Sequence, residues 1–260
     1  RTLQVASVHH YRDQWSRAFD VTYEDTSGEQ QYVHQTTYGM SERLLGAIVA
    51  SHGDDRGLIM PPAVAPVQVI VIPILSKEGS EEVMSKAEEI VSSLKSSGIR
   101  TKLDSRDIRP GQKYYDWEIK GVPLRIEIGP RDLANNSVMC AKRTGEKTSQ
   151  SLDGLVDTVQ NQLESIGDEM MSNSLQHFNS HIQKLPNFTV DGNNLIFDES
   201  IQTDIVYEFA FAGNDAEAEM IEKSTGLSFL GDSTKLYDEK KPCVFTSALT
   251  NRRIYLSKGY

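Results

Sequence analysis

Cysteine is scarce: Cys140 and Cys243 are the only two in 260 residues. So few exclude a disulfide framework and point to a reducing compartment. Long apolar runs are missing too. The longest, Met60 to Leu75, is broken by Pro61, Pro62, Pro66, Pro73 and Gln68, which excludes a membrane-spanning helix. The opening RTLQVASVHHYRDQW has neither an initiator Met nor an apolar signal core, so a cytoplasmic location is expected. Cys-rich metal spacing, a serine nucleophile elbow and a dinucleotide glycine fingerprint are all lacking. Gly145-Glu146-Lys147-Thr148 has the look of the end of a phosphate loop, but no strand or glycine spacing precedes it.

What is present is ordinary globular composition, 38% hydrophobic and 25% charged, over a length that exceeds one average domain. Charge is unevenly spread. Residues 1–66 hold 5 basic and 8 acidic groups, residues 67–150 hold 14 and 12, and residues 151–260 hold 8 and 17. The overall −10 argues against a polyanionic partner, yet Arg100 to Lys147 carries 11 basic against 7 acidic residues, an island able to face phosphates.

Patterning divides the chain in three. Residues 1–66 read as strand-rich, with strands at Leu3–Val8 and Phe19–Tyr23, a turn at Asp25–Glu29 and a return strand at Gln31–His34. Leu44, Leu45, Ile48 and Val49 recur at helical spacing after Ser41, and a short strand is expected at Gly57–Met60. Pro61, Pro62 and Pro66 form a stiff connector. Residues 67–151 then alternate strand and helix. Strands are expected at Val67–Ile74, Ile99–Leu103, Pro123–Ile128 and Ser137–Lys142. A helix is capped by Ser80 and striped by Val83, Met84, Ala87, Ile90, Val91 and Leu94, and another starts near Pro110. Residues 152–260 open with a long helix ending before Pro186. A small α/β unit follows, with strands at Asn194–Phe197 and Arg253–Leu256 and a helix at Asp215–Lys223. The fold class is therefore mixed, α/β and α+β.

Several residues suggest chemistry, each beside a blander role. Adjacent His9 and His10 face opposite sides of a strand and cannot grip one metal; one of them can serve a pocket or simply be solvated. Arg43, in the first turn of a buried-looking helix, needs a carboxylate or phosphate, and Asp54 is one candidate partner. His52-Gly53-Asp54-Asp55-Arg56-Gly57 reads as a turn rather than a metal site. Trp117, Glu118, Lys120, Arg125, Arg131, Asp132, Lys142, Arg143 and Lys147 mix cations, acids and an aromatic, as selective reading of single-stranded RNA requires and as a solvated charged face would also show.

The succession LQVASVHH, AFDVTYED, YVHQTTYGMSERLLGAIVASHGDDRGLIMPPAVAPVQVIVIPI, DWEIKGVPLRIEIGPRDL and terminal IYLSKGY resembles a prolyl-tRNA synthetase of the archaeal and eukaryotic-like type. The resemblance implies the C-terminal part of a class II catalytic domain to Pro66, an anticodon-binding domain over 67–151, and the family's own C-terminal domain beyond. It implies that Gln4 and Ser7 hold ATP or prolyl-adenylate, that His9 lies at the proline pocket, and that Ser41 and Arg43 belong to the third class II signature, with the arginine against ATP. Val8 and Tyr38 stand where Ser and Trp are usual. Glu118, Arg125, Arg131, Asp132 and Lys147 fall where relatives contact anticodon bases, and the carboxylate of Tyr260 corresponds to one that approaches the active site. Relatives often bind zinc through four cysteines; here the positions are Ala212, Glu217, Cys243 and Thr246, so no structural zinc is expected.

The resemblance further implies proline, ATP with Mg2+ and tRNA(Pro) as substrates, a homodimer in the intact enzyme, and no membrane. The first two class II signatures are not in this sequence, so the chain alone is expected to be inactive in aminoacylation. Two other readings remain open: a non-catalytic tRNA-binding accessory protein, and an interaction scaffold favoured by the acidic last third.

Overall fold

A computed structural model describes residues 1–75 and 79–260. Two compact units are formed: Arg1–Leu44 with Gln176–Tyr260, and Leu45–Leu175. These lines of division differ from the compositional ones at 66 and 151: residues 45–66 go with the unit that follows them, and residues 152–175 go with the unit that precedes them.

In chain order the elements are β1 (Ala6–Arg12), α1 (Gln14–Phe19), β2 (Thr22–Glu24), β3 (Gln30–Tyr32), β4 (Gln35–Met40) and α2 (Arg43–His52). They continue with β5 (Val69–Pro73), α3 (Ser80–Ser96), β6 (Thr101–Leu103), α4 (Pro110–Ile119), β7 (Leu124–Ile128), α5 (Pro130–Ala134), β8 (Ser137–Lys142), β9 (Lys147–Ser151) and α6 (Leu155–Ser180). The last third adds β10 (Ile182–Lys184), β11 (Phe188–Asp191), β12 (Asn194–Phe197), β13 (Val206–Ala210), α7 (Asp215–Thr225), β14 (Ser228–Asp232), β15 (Lys241–Pro242), β16 (Leu249–Thr250) and β17 (Arg253–Ser257). The mixed α/β architecture matches the reading of the sequence.

The Leu45–Leu175 unit is built on a five-stranded sheet ordered β6-β5-β7-β8-β9, in which β5 runs parallel to β6 and β7 while β8 and β9 run antiparallel. One face is fully covered. Val69, Val71, Leu124, Ile126, Ile128, Val138 and Cys140 pack there against the apolar stripes of α3 and α6, which contribute Val83, Leu94, Val159 and Ile166. Burial there pushes the Cys140 thiol up to about 12, an inert, core-filling thiol. The opposite face is only partly covered. Ile70, Ile72 and Val122 pack against Tyr114 and Trp117 of α4. Strand alternation puts Arg125 and Glu127 of β7 on that second face, and register aligns Ile70, Arg125, Ala141 and Lys147 in one row across four strands. Beyond the shelter of α4, that row is the floor of an open surface.

The segment before the prolines is fastened to the end of α4. Leu58 N donates to Ile119 O at 3.0 Å and Met60 N to Gly121 O at 3.1 Å, so the expected strand at Gly57–Met60 makes two ladder-like bonds but no continuous strand. The backbones approach so closely that a Cβ on Gly121 (φ +69°) would sit 2.7 Å from the carbonyl carbon of Leu58. Only glycine serves there.

In the other unit, β1 and β4 form a two-stranded antiparallel sheet, and β2–β3 is the expected hairpin around Asp25–Glu29. A four-stranded sheet ordered β10-β13-β17-β14 buries Tyr207, Phe209, Ile254 and Leu256 against Ile221 of α7. The two ends of the chain meet there: Thr2 and Gly259 form a parallel bridge, and Tyr260 N donates to Thr2 O at 3.1 Å. Among the described residues no helix is long and apolar enough to cross a membrane.

Several expectations need correction. Phe19 ends a helix, α1, rather than starting a strand; Trp15 stacks on it four residues on, at 6.2 Å between ring centres. The stripe Leu44, Leu45, Ile48 and Val49 was expected to make α2 a buried helix, yet α2 buries no residue. The N-cap of α3 is Gly79, and Ser80 is its first helical residue.

Candidate nucleic-acid interface

A cleft of about 290 Å³ lies between α4 and the open end of the β7–β9 surface. Trp117 and Glu118 of α4, Arg125 of β7 and Lys147 of β9 line it, joined by Arg56, Tyr114, Lys142 and Arg143. Of the five residues expected to contact bases, it gathers Glu118, Arg125 and Lys147. Arg131 and Asp132 do not line it. Both sit on α5, where the Asp132 carboxylate accepts the Gly129 N–H at 2.9 Å and so closes the first turn of that short helix.

The electrostatics differ from a cationic island. All five cations lining the cleft have a carboxylate partner: Arg56 with Glu118 at 2.8 Å, Arg125 with Glu127 at 3.0 Å, Lys142 with Glu146 at 2.7 Å, Lys147 with Glu127 at 3.0 Å, and Arg143 with Asp54 at 2.5 Å. The excess of positive charge counted along Arg100 to Lys147 is therefore largely cancelled where it gathers. One of the cancelling acids, Asp54, lies outside the counted stretch, as does one of the cations, Arg56.

Two buried acids organise this surface, and neither was a predicted site residue. Glu127, with its side chain 8% exposed, receives Arg125 Nε on one oxygen, Lys147 Nζ on the other, and a hydrogen bond from Tyr114. Burial pushes its carboxyl upward, but Lys147, Tyr114 and Arg125 outweigh burial and hold it below the usual range. Burial, then the bond to Glu127, holds the Tyr114 phenol up in turn. The Arg125 guanidinium also lies over the Tyr114 ring, 4.1 Å from its centre. Asp104, with its side chain 1% exposed, accepts from Arg106 and from the Trp117 indole N–H at 2.7 Å, and its backbone carbonyl takes Lys113 Nζ at 3.1 Å. These bonds pin α4 to the end of β6. The signal for Glu127 was in the sequence: in Leu-Arg-Ile-Glu-Ile, strand parity places it beside Arg125.

Arg143 is not a ligand-facing cation. Its side chain is 2% exposed; it binds both Asp54 oxygens and the carbonyl of Glu118 at 3.1 Å. Asp54 is thus taken by Arg143 and is not the partner of Arg43, and residues 54–57 form the expected turn, in which Asp54 Oδ1 accepts Arg56 N at 2.9 Å.

In the other unit, Gln4, Ser7, Ser41 and Arg43 line a second, open cleft of about 480 Å³, with Glu42 between the last two. Ser41 N donates to Val5 O at 3.1 Å, which holds the start of α2 beside β1. The Arg43 side chain is exposed and has no hydrogen bond or ion pair among the described residues. His9 is outside this lining and stacks on Tyr11 at 5.4 Å. Tyr260 is exposed, with the Arg1 guanidinium 5.5 Å from its ring centre.

The four positions that the resemblance sets against zinc ligands take part in local hydrogen bonds. Glu217 accepts Asn214 N at 2.9 Å as part of the α7 capping box, and Ala212 N donates to Cys243 Sγ at 3.2 Å. Burial pushes the Cys243 thiol up, but hydrogen bonds from Thr246, Ala212 and Phe245 outweigh it and bring the thiol below its usual value. Among the described residues no group of three or more His, Cys, Asp or Glu could hold a metal ion.

The chain is similar to known proteins over nearly all of its length. The anticodon binding domain family matches residues 68–162, the stretch that supplies the sheet, α4 and half the length of α6 or less. The proline–tRNA ligase of Methanocorpusculum labreanum is 42% identical over 247 residues, 94% of this chain and 50% of the relative. That of Thermococcus kodakarensis is 40% identical over 247 residues, 93% and 50%; that of Methanococcoides burtonii is 39% identical over 262 residues, 100% and 53%. The chain spans about half the length of the curated relatives it matches, in their C-terminal part. With a matching anticodon-binding family model and identities of this size over nearly all its residues, the chain matches the C-terminal part of proline–tRNA ligases.

Proposed function

We propose that the chain reads the anticodon of tRNA(Pro) on behalf of a proline–tRNA ligase, with the cleft between α4 and β7–β9 as the reading site. The supporting observation is the pairing of every cation that lines it. Unpaired cations favour phosphates, whereas a neutralised lattice of fixed donors and acceptors suits uncharged base edges. In this reading Glu118 accepts hydrogen bonds from the imino and amino groups of a guanine and Lys147 donates to its O6. Tyr114 and Trp117 wall the cleft for splayed-out bases. Arg131 and Asp132, outside the cleft, are proposed to meet a neighbouring nucleotide.

The test is binding of two tRNA(Pro) transcripts, one with its own anticodon and one with the anticodon guanines replaced. Lys147→Ala and Glu118→Ala are each expected to weaken the first about tenfold and to leave the second nearly unchanged. The logarithmic salt slope is expected to stay nearly the same, well short of the roughly 0.7 to 0.9 of a unit that loss of one phosphate contact would give. A parallel loss on both transcripts, with a clearly shallower slope, would mean phosphate docking instead.

The whole protein's reaction belongs to the same proposal. The proline carboxylate attacks the α-phosphorus of ATP and pyrophosphate leaves; a ribose hydroxyl at the tRNA 3′ end then attacks the acyl carbon and AMP leaves. Gln4, Ser7 and Ser41 would hold ATP or prolyl-adenylate, and the unpaired Arg43 would meet its phosphates as pyrophosphate departs. Mg2+ enters with ATP. His9 is assigned to the proline side and the Tyr260 carboxylate to the same active site, while no structural zinc is assigned. A homodimer and a cytoplasmic location complete the proposal.

A further inference from the structure

Glu127 is not among the residues expected to contact bases, yet it is bonded to two that are. Its oxygens are divided between them: Oε1 takes Arg125 Nε at 3.0 Å and Oε2 takes Lys147 Nζ at 3.0 Å. The two cations come from different strands, β7 and β9, separated by β8, so no local turn or shared helix fixes their spacing. Arg125 has a second restraint, the Tyr114 ring beneath its guanidinium. Lys147 has none of this kind. Its side chain is 49% exposed, and Glu127 is its only charged partner among the described residues. A lysine stem left to itself samples many rotamers, and its ammonium goes to the nearest strong acceptor; against RNA that is a phosphate. A buried carboxylate that engages one or two of the three ammonium donors leaves another directed outward.

We propose that Glu127 is a positioning residue that converts Lys147 from a phosphate-seeking cation into a base-reading donor, and so sets the selectivity of the cleft for guanine. This rests on the reading of the cleft given above. Glu127 does this without contacting RNA, by neutralising and aiming the lysine while Tyr114 and Arg125 hold the carboxylate in place. The consequence is unusual for removal of an acid near RNA: selectivity falls while general affinity rises.

The experiment compares the full chain with Glu127→Gln, an isosteric change, on the same two transcripts over a range of salt. Expected for Glu127→Gln is roughly a tenfold smaller preference for the transcript with the native anticodon. Binding to the guanine-replaced transcript is expected to be equal or tighter, and the salt slope steeper by about 0.7 to 0.9 of a unit as one more cation becomes available to phosphate. In a Lys147→Ala background the same change should leave the preference unaltered, because the residue through which it acts is gone. Without RNA, ring-carbon NMR of labelled tyrosine should show the Tyr114 phenol ionising at lower pH in Glu127→Gln, since the acid beside it has lost its charge.

An unchanged preference and slope overturns the proposal while leaving the anticodon reading intact, and so does an equal effect with and without Lys147. Proportional weakening on both transcripts also overturns it, because a merely structural loss behaves that way. Failure of the unaltered chain to prefer its own anticodon removes the reading and the proposal together.

Discussion

Replacing Asp54 with alanine is expected to lower the stability of the Leu45–Leu175 unit by about 3 kcal/mol, with a fall in melting temperature on the order of 10 °C. The acid meets a guanidinium whose side chain is 2% exposed, through bonds of 2.5 and 3.0 Å. Without it Arg143 keeps only carbonyl acceptors, from Glu118 and Gly57, which leave its charge uncompensated. About a third of the Asp54 side chain reaches solvent, so water can enter and the cost lies at the low end for a broken buried pair. Changing Arg143→Met together with Asp54→Ala should restore part of the loss, since the stranded charge is its cause. Thermal or urea unfolding checks both; a cost below about 1 kcal/mol for Asp54→Ala would refute the assignment. Because Arg143 also holds the Glu118 carbonyl, and Arg56 in the same turn pairs with the Glu118 carboxylate, anticodon preference should weaken with stability.

A second large effect is expected at Asp104. Burial pushes its carboxyl up, but Arg106 and the Trp117 indole outweigh this and bring it down to about 2, against 3.8 ordinarily. A folded-state value below the unfolded one means that the contribution is fully present above about pH 4 to 5 and disappears as pH falls through 2. The difference amounts to about 2 kcal/mol. Asp104→Asn should therefore be about 2 kcal/mol less stable at pH 7 and should lose less than the unaltered chain on acidification from pH 5 to pH 2. Parallel acid profiles for the two proteins would show that Asp104 is not the responsible group. The same substitution loosens α4, which carries Trp117 and Glu118.

Much of this molecule was legible in the sequence, for identifiable reasons. The strand at Ser137–Lys142 and the strand at Asn194–Phe197 were located to the residue, and the α3 stripe was read correctly, because one face of each is buried and periodicity records burial. Where burial is absent the signal fails. α2 has an apolar stripe but buries nothing, and β4, with five of its six residues exposed, left no alternating pattern to find. β13 was missed although its Val-Tyr-Glu-Phe-Ala buries Tyr207, Phe209 and Ala210; a single glutamate in five residues hid it. In the cleft, residue types were legible and pairings were not. Arg143 looked like its neighbours in composition, and only contact with Asp54, 89 residues away in sequence, makes it internal. Summed charge cannot reveal that each cation already has an acid.

The row Ile70, Arg125, Ala141, Lys147 carries a rule for changes in chain length. Lys147 faces the cleft because of its odd or even place along β9, counted from the tight connection Arg143–Glu146. Inserting or deleting one residue there would turn the lysine toward α6 and bring Glu146 or Thr148 to the mouth of the cleft, whereas a change of two would preserve the facing. Length variation in that connection is therefore expected to be tolerated in pairs, and a single inserted codon is expected to remove the lysine from the cleft while its residue type stays the same.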